Sequence, residues 1–298
     1  MKIAPLPIPT RLVGGEVVNS YASRHARNNG LPADEIERGL REAGKFPGSK
    51  SKRHPERLAA WRALGGLHER AFTEPQVVAG NWVIERSLCV RCMPHLEDGI
   101  GRLPWRGWVC LKHKRWVKGD EQTDLARFGE ALVAERHWRS SLTRRGVVVE
   151  SPIVRLAEEA VTVGLSKAVL KDRTERVADH SPGLLVYPET VALARVLTRG
   201  SFLDVACDPD TPGTQRRALV EREVYRILPD VEDAEAWRAV ARVWTVVTDL
   251  SDLLRDARLV GMIPDDAKYN VLRYSRWLAQ PPQGLGGLAE ANRDGAAG

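Results

Sequence analysis

Three of the chain's four cysteines and two of its histidines fall within a single short segment, LCVRCMPHLEDGIGRLPWRGWVCLKHKRWV, residues 88–117. They form the pattern C-x2-C-x17-C-x2-H, made of Cys89, Cys92, Cys110 and His113. Two residues between ligands allow a tight turn that points both side chains at one spot, and two such turns supply the four corners of a tetrahedron. The spacing therefore predicts a metal site with four protein ligands.

Zinc suits this set of donors better than an iron–sulfur cluster, because one ligand is an imidazole and the spacing is that of a zinc ribbon. Four protein ligands leave no position for water or substrate, so we expect one structural zinc ion. A redox C-x-x-C motif is an alternative, although it belongs at a helix start and needs no second pair. Chance clustering of buried cysteines is another. His95 is a rival ligand, but the symmetrical pairing favours His113.

The residues between the two pairs are expected to form a small β-hairpin. Asp98-Gly99 and Gly101 suit the turn, and the aromatic and apolar residues of 105–109 suit a returning strand. Helical patterns occupy most of the remaining chain. The sequence predicts a mainly α fold with N-terminal helices resembling a helix-turn-helix, a small zinc-ribbon hairpin module and a helical C-terminal domain. The expected divisions are an N-terminal helical part at 1–80, the zinc module at 81–119, the helical domain at 120–278 and a disordered tail at 279–298.

Two helices are predicted within residues 16–44, separated by a turn at Asn28-Asn29-Gly30. Pairs of short helices meet in this way in many proteins that never touch DNA, so the arrangement alone does not identify a DNA-binding motif. His25 falls on the apolar face of the first helix and is interpreted as a core histidine. A third helix is predicted from Pro55 to Gly65-Gly66, followed by a short helix over 67–75.

The C-terminal half reads as a series of helices. One is predicted over 151–172, with Ser151 as its N-cap, and a long one ends near Gly261 and Pro264. The predicted buried side of the long helix consists of Trp237, Val240, Trp244, Val247 and Leu254. Its carboxylates Asp249, Asp252 and Asp256 are assigned to solvent, because no histidine or cysteine joins them. Cys207 stands alone and is expected to be a small core residue.

The charge is divided unevenly along the chain. Residues 1–120 carry 21 Lys and Arg against 12 Asp and Glu, a net of +9, whereas residues 121–298 carry 24 against 27, a net of −3. This split favours a polyanionic partner for the first half, with an ordinary solvated basic surface as the alternative. The candidate nucleic-acid contacts are Lys50, Lys52, Arg53, Arg102, Arg106, Lys112, Lys114 and Arg115.

Several classes of protein are disfavoured by what the sequence lacks. It contains no glycine-rich phosphate loop, no G-x-S-x-G and no H-E-x-x-H, so no enzymatic activity is expected. No apolar run approaches the ~18 residues of a membrane span. Prolines interrupt the first ten residues, which have no apolar core of a secretion signal. Together with the few cysteines, these features predict a cytoplasmic protein with reduced thiols.

The order of these features resembles the TniQ family. The family's opening is matched by the prolines of 7–9, Gly15-Glu16, Ser20-Tyr21 and Asn29-Gly30-Leu31, and its zinc finger by the segment RLPWRGWVCLKH. The likeness covers about residues 5–117. Val90 and Leu111 stand where family members often have proline, and the extra C-x2-C pair that often follows is missing from RWVKGDEQTDL. The chain thus resembles a reduced member with one zinc.

The resemblance implies a non-catalytic adaptor in DNA transposition. Such a protein connects target-site recognition to a AAA+ ATPase regulator, which recruits the transposase. Its expected partners are that ATPase and either target DNA or an RNA-guided targeting complex, and a homodimer is one compatible arrangement. A stand-alone, zinc-containing DNA-binding transcriptional regulator is the alternative function. A metalloenzyme is a third hypothesis, which four protein ligands on the zinc disfavour.

Overall fold

A computed structural model describes residues 3–46, 54–72, 83–94, 98–104, 107–118, 122–178, 181–228 and 235–260. The chain is mainly helical, with two small antiparallel sheets, as the sequence predicts. It divides into two compact units. The first comprises Met1–Trp105 and Val117–Gln122, and the second comprises Arg106–Trp116 and Thr123–Gly298.

The first unit contains three helices and one two-stranded sheet. Its helices and strands are α1 (Val18–Asn28), α2 (Ala33–Glu42), α3 (Pro55–Gly65), β1 (Val83–Ser87) and β2 (Ile100–Pro104). The ends of the helices follow the predicted breaks. Gly66, for example, ends α3 in the left-handed conformation with φ +58°, which glycine adopts without steric cost.

The core of the first unit forms where α1 packs against α2 and α3. The buried residues of this core are Val18, Ala22, Ala26, Phe46, Ala60, Trp61 and Leu64. His25 is fully buried beside them. Its Nδ1 lies 3.0 Å from the Thr10 hydroxyl oxygen and its Nε2 lies 3.0 Å from the Leu64 carbonyl oxygen. Both ring nitrogens therefore have partners, and the interpretation of His25 as a core histidine is confirmed.

The small sheet of the first unit differs from the predicted hairpin. β1 pairs antiparallel with β2, from Val83 opposite Pro104 to Ser87 opposite Ile100. The returning strand therefore lies before residues 105–109, and the first cysteine pair falls in the connection between the strands. The short helix predicted over 67–75 was also wrong within the described residues, since 67–68 have no regular structure and 69–72 form turns.

The second unit contains eight α-helices and a three-stranded sheet among its described residues. These are β3 (Val109–Cys110), β4 (Arg115–Trp116), β5 (Thr123–Asp124), α4 (Gly129–His137), α5 (Pro152–Gly164), α6 (Lys167–Val177), α7 (Pro182–Leu185), α8 (Tyr187–Leu197), α9 (Gly200–Ala206), α10 (Gly213–Tyr225) and α11 (Ala236–Leu259). A π-helical turn, Trp138–Leu142, and a 3-10 turn, Thr143–Arg145, continue α4. The sheet has the order β3-β4-β5.

The helices of the second unit pack around α5 and α8. α5 contacts both α8 and α11, and α8 also contacts α4. The single helix predicted over 151–172 is two helices, because the chain turns at Leu165 and Ser166. The Ser166 hydroxyl accepts a hydrogen bond of 3.3 Å from the Val169 amide, so that Ser166 is the N-cap of α6. Ser151 precedes α5 as predicted, but its side chain makes no capping bond.

The buried side of α11 was predicted correctly for Val240, Val247 and Leu254. Trp244 is half-buried, and Trp237 is 57% exposed, which corrects its assignment to the core. A helix turns about 100° per residue, which puts both tryptophans roughly 80–100° from the middle of the buried stripe. They therefore flank the stripe, although each is spaced correctly from a buried valine.

Two further predictions concern acidic residues and a cysteine in the second unit. Asp249, Asp252 and Asp256 are exposed on α11, as expected for a solvated face. Cys207 is fully buried, which confirms it as a core residue. Burial raises the pKa of its thiol to about 12, so the thiol stays protonated at neutral pH.

The predicted module boundaries and the compact units divide the chain differently. Residues 81–119 were expected to form one module, but β3 and β4 group with the second unit because β4 pairs with β5 and β3 packs against α4. The tail predicted over 279–298 lies outside the described residues, as do Gly261 and Pro264. Among the described helices, none combines the length and the apolar character that crossing a membrane requires.

Candidate metal centre

Cys89, Cys92, Cys110 and His113 come together in the folded chain. One ligand atom from each lies within 4.8 Å of the others, and the Cys110 Sγ is 3.8 Å from the His113 Nδ1. Cys89 is buried and the other three are half-buried. Three thiols and an imidazole at this separation could bind one metal ion. Over the part of the chain that the structure describes, this is the one such group of three or more His, Cys, Asp or Glu side chains.

The first ligand pair lies on a short turn that follows β1. Residues Val90–Cys92 form a 3-10 turn, closed by a 2.8 Å hydrogen bond from the Cys92 amide to the Cys89 carbonyl oxygen. Leu88 and Met93 are buried on either side, at 5% and 4% exposure. These two buried side chains fix both ends of the turn, so that the backbone between them has little conformational freedom.

Gln122 holds the backbone around Cys89 from outside the motif. Its side-chain oxygen accepts a hydrogen bond of 3.0 Å from the Val90 amide, and its side-chain nitrogen donates one of 2.7 Å to the Leu88 carbonyl oxygen. One neutral carboxamide thus satisfies a backbone group on each side of the ligand. Sequence reasoning missed this residue, because a lone glutamine far from the cysteines carries no pattern.

The second ligand pair lies on the β3–β4 hairpin. Cys110 is opposite Arg115 in the register, and Val109 is opposite Trp116. Lys114, in the turn, has φ +51°, a left-handed conformation that is uncommon for a residue with a Cβ. Its carbonyl oxygen accepts a hydrogen bond of 2.8 Å from the Leu125 amide. The tight turn folds His113 back toward Cys110.

An ion pair between a buried carboxylate and a half-buried guanidinium holds the backbone beside Cys110. Glu135 is fully buried, and its Oε1 accepts a 2.6 Å hydrogen bond from the Arg139 Nε. Its Oε2 accepts from the Val109 amide at 3.3 Å, while Arg139 donates to the Val109 carbonyl oxygen at 2.8 Å. Both backbone groups of Val109 are therefore bonded to the same pair. This also was invisible in the sequence.

Tyr187 completes that buried group. Its hydroxyl donates a 2.7 Å hydrogen bond to the Glu135 Oε2, and its ring contacts the buried indole of Trp116 edge-on, with 4.9 Å between centroids. Burial raises the pKa of Tyr187 well above its ordinary value, and the neighbouring Glu135 charge adds to the rise. The phenol therefore remains a hydrogen-bond donor throughout the physiological range.

The N-terminal segment is bonded to β2. The Arg102 amide donates to the Gly15 carbonyl oxygen at 2.7 Å, the Val17 amide donates to the Ile100 carbonyl oxygen at 3.0 Å, and the Ile100 amide donates to the Ser20 hydroxyl at 3.1 Å. The residues that carry the family resemblance, Gly15-Glu16 and Ser20, thus contact the strand that follows the first cysteine pair.

A buried ion pair and a glycine turn stabilise that contact. Glu16 is 3% exposed and bonds the Arg24 guanidinium through both carboxylate oxygens, each at 2.9 Å. Gly15 has φ +80°, and a Cβ placed there would lie 2.8 Å from a methyl group of Leu103. The position therefore requires glycine both for its backbone conformation and for space.

The predicted nucleic-acid contacts fall into three groups. Lys112 and Lys114 are exposed on the second hairpin, and Arg115 is half-buried beside them. Arg102 is 8% exposed, which leaves little of its side chain for a phosphate group and does not favour the predicted role. The remaining candidates, together with the rival ligand His95, lie outside the described residues, namely Lys50, Lys52, Arg53 and Arg106.

Comparison with known proteins finds no matching family model, no matching curated protein and no matching solved structure. The class of this protein is therefore defined by its own fold and its own ligand cluster. It is a mainly helical protein with a Cys3His cluster that could bind one metal ion.

Proposed function

We propose that this chain is a non-catalytic, TniQ-like adaptor in DNA transposition. It links recognition of the target site to a AAA+ ATPase regulator and, through that regulator, to a transposase. The observation that carries the proposal is the contact between Gly15-Glu16, Ser20 and β2. The N-terminal residues that resemble the family's opening are hydrogen-bonded to the hairpin that resembles part of its zinc finger. The two segments that carry the resemblance therefore contact each other in the folded chain.

The metal in this proposal is one structural zinc ion, bound by Cys89, Cys92, Cys110 and His113. Thiolates around zinc lie about 2.3 Å from the ion, so neighbouring tetrahedral corners are roughly 3.8 Å apart. The spread of the ligand atoms, 4.8 Å at most, needs little adjustment to reach that geometry. Four protein ligands fill the coordination sphere, so the zinc stabilises the fold and activates no water.

The adaptor works by binding and performs no chemistry. Lys112 and Lys114 are exposed next to the metal ligand His113 and supply positive charge for DNA or for an acidic partner. A stand-alone DNA-binding transcriptional regulator would use the same residues, and the pair α1 and α2 suits either function. The two proposals differ in whether a AAA+ ATPase binds the chain.

The test uses the full-length, zinc-loaded chain and the purified AAA+ ATPase encoded in the same mobile element. We expect a stable complex on size-exclusion chromatography in the presence of ATP. Cys92→Ser should abolish the complex because it removes a metal ligand, and Cys207→Ala should keep it because Cys207 is a core residue away from the ligand cluster. Absence of any complex, together with tight binding to one defined operator sequence, would replace the adaptor with the stand-alone regulator.

A further inference from the structure

Three arginines of the second unit surround one buried glutamate. Glu223 of α10 is 5% exposed, and its carboxylate lies 3.2 Å from Arg199, 3.8 Å from Arg222 and 2.5 Å from Arg226. One carboxylate cannot neutralise three guanidinium groups, so this group keeps a net positive charge. Glu223 lies within hydrogen-bond distance of Arg199 and Arg226 and holds these two guanidinium groups in place, whereas Arg222 lies farther away, at 3.8 Å.

Two further arginines extend the group at the carboxyl end of α8. Arg145 donates hydrogen bonds of 2.9 Å to the Arg195 carbonyl oxygen and to the Thr198 hydroxyl. Burial lowers the pKa of Arg145, and the positive charges of Arg195 and Arg199 lower it further, as expected where like charges lie close together. The five arginines and Glu223 form what we call the arginine surface.

The arginine surface retains the capacity to bind an anion. The side chains of Arg199, Arg222 and Arg226 are 38%, 70% and 62% exposed. The net charge of −3 over residues 121–298 does not reveal this local excess of guanidinium groups around one buried carboxylate.

We infer that the arginine surface binds the phosphate backbone of duplex DNA. Guanidinium groups present paired donors that match phosphate oxygens, and fixed arginines suit a closely spaced row of charges. Single strands need exposed aromatic rings for base stacking, whereas Phe202, which lines the groove beside Arg199 and Arg222, is 1% exposed. The choice of DNA over duplex RNA rests on the proposed function.

The binding is sequence-independent and orients the chain on DNA, since phosphate contacts carry no base information. The second unit would thus bind a polyanion, as is expected of the basic N-terminal half. The adaptor would then have a DNA-binding surface on each of its units.

The experiment measures binding of the full-length chain to a short fluorescent DNA duplex of random sequence at several salt concentrations. The test variant is R195Q/R222Q, which leaves intact the Arg145 cap of α8 and the two closest partners of Glu223. The matched control is R217Q/R255Q, which removes the same charge from exposed arginines of the second unit, paired with Glu221 and Asp252. Thermal melting establishes that both variants are folded.

We expect R195Q/R222Q to weaken binding about tenfold and to lower the salt-dependence slope by about 2, since each phosphate contact contributes about 0.9 to it. The control should bind like the wild type. Equal losses in both variants, or no loss in either, would overturn the inference. So would competition by poly-glutamate as effective as that by DNA of equal charge, because the partner would then be an acidic protein.

The same experiment separates this inference from the proposed function. A chain that binds the AAA+ ATPase but no DNA overturns the inference and leaves the adaptor proposal standing. A chain that binds DNA through the arginine surface but no ATPase supports the inference and overturns the adaptor proposal.

Discussion

The Cys89–Cys92 turn is held by a neutral side chain, whereas the backbone beside Cys110 is held by an ion pair whose carboxylate is fully buried. Gln122 gives the first turn two hydrogen bonds in a half-buried setting. Glu135 and Arg139 give the second turn bonds to both backbone groups of Val109, and Glu135 is fully buried. Losing a neutral, half-exposed bond costs less than leaving a buried charge alone. The first turn should therefore depend more on the metal, and the second more on its protein surroundings.

Removing the metal should produce the largest effect and should destabilise the first turn more than the second. Metal binding in small zinc modules contributes on the order of 10 kcal/mol to folding. In Cys92→Ser we expect loss of the bound metal and loss of amide protection over 88–94, while protection over 109–124 is largely retained. Elemental analysis and hydrogen–deuterium exchange measure both. Cys207→Ala is the control and should keep one metal ion per chain.

If 109–124 lost protection before 88–94, the metal rather than Glu135 would be holding the second turn. A chain purified without chelators that contains no metal would contradict the metal centre itself.

Glu135→Gln should destabilise the second unit by about 2 kcal/mol, because it presents an amide donor to the donors from which the fully buried carboxylate accepts, namely the Val109 amide and the Tyr187 hydroxyl. Urea denaturation measures this change, and exchange of the Val109 amide should accelerate. Glu130→Gln is the matched control. Its partner is Arg176, at 2.9 Å, and both side chains are substantially exposed, so its loss should cost less than about 1 kcal/mol. Equal effects of the two variants would show that the buried pair has no special role.

Gly15→Ala should destabilise the contact between the N-terminal segment and β2 by about 2 kcal/mol, since it combines a left-handed backbone with a close approach to Leu103. Its neighbour Gly14 is the control, because a Cβ there meets no atom within 4 Å. Thermal unfolding of the two variants measures the difference. A Gly14→Ala variant as unstable as Gly15→Ala would indicate that the local backbone, and not the contact with β2, determines the cost.

Gln122→Glu should have a smaller effect on the first turn. A carboxylate can still accept from the Val90 amide but cannot donate to the Leu88 carbonyl oxygen, so we expect a loss of about 1 kcal/mol. Metal affinity should fall roughly tenfold, as it does when a group supporting a ligand is lost. Competition with a chromophoric chelator measures that affinity. Gln215→Ala, exposed on α10, should leave it unchanged.

Ionisation of Tyr21 and Tyr187 should not affect folding stability at neutral pH and should lower it only at alkaline pH. Burial raises the pKa of Tyr21 from 10.0 to about 12, and that of Tyr187 also rises well above 10.0. The unfolded chain loses these protons first, so folding stability should fall as the pH rises above 10. Absorbance titration of tyrosinate should show two phenols that ionise at higher pH than an exposed tyrosine does. In Tyr187→Phe the fall in stability of the second unit above pH 10 should be smaller than in the wild type. In Tyr21→Phe the same should hold for the first unit.

The sequence by itself determined the elements whose cause lies within a few residues. The C-x2-C and C-x2-H spacings bring each ligand pair together through a single turn, and all four predicted ligands meet in the structure. Gly66 ends α3, and Asn29-Gly30 ends α1, because backbone conformations of this kind depend on the residue that adopts them. The mainly helical fold and the core position of His25 follow from periodic patterns of the same short range, and the core position of Cys207 follows from its residue type.

Tertiary structure decided everything that depends on partners distant in the chain. Gln122 reaches Val90 across 32 residues and Glu135 reaches Val109 across 26, so no local pattern marks either one. Trp237 has the spacing of a buried residue, but it flanks the stripe that the neighbouring helices cover. The arginine surface joins residues of the 3-10 turn after α4, of the carboxyl end of α8 and the residues that follow it, and of the carboxyl end of α10, in a half whose net charge is negative. A sequence fixes the charge and the local turn, but which side chains become neighbours is settled by the packing of the helices, because burial and pairing are properties of the whole fold.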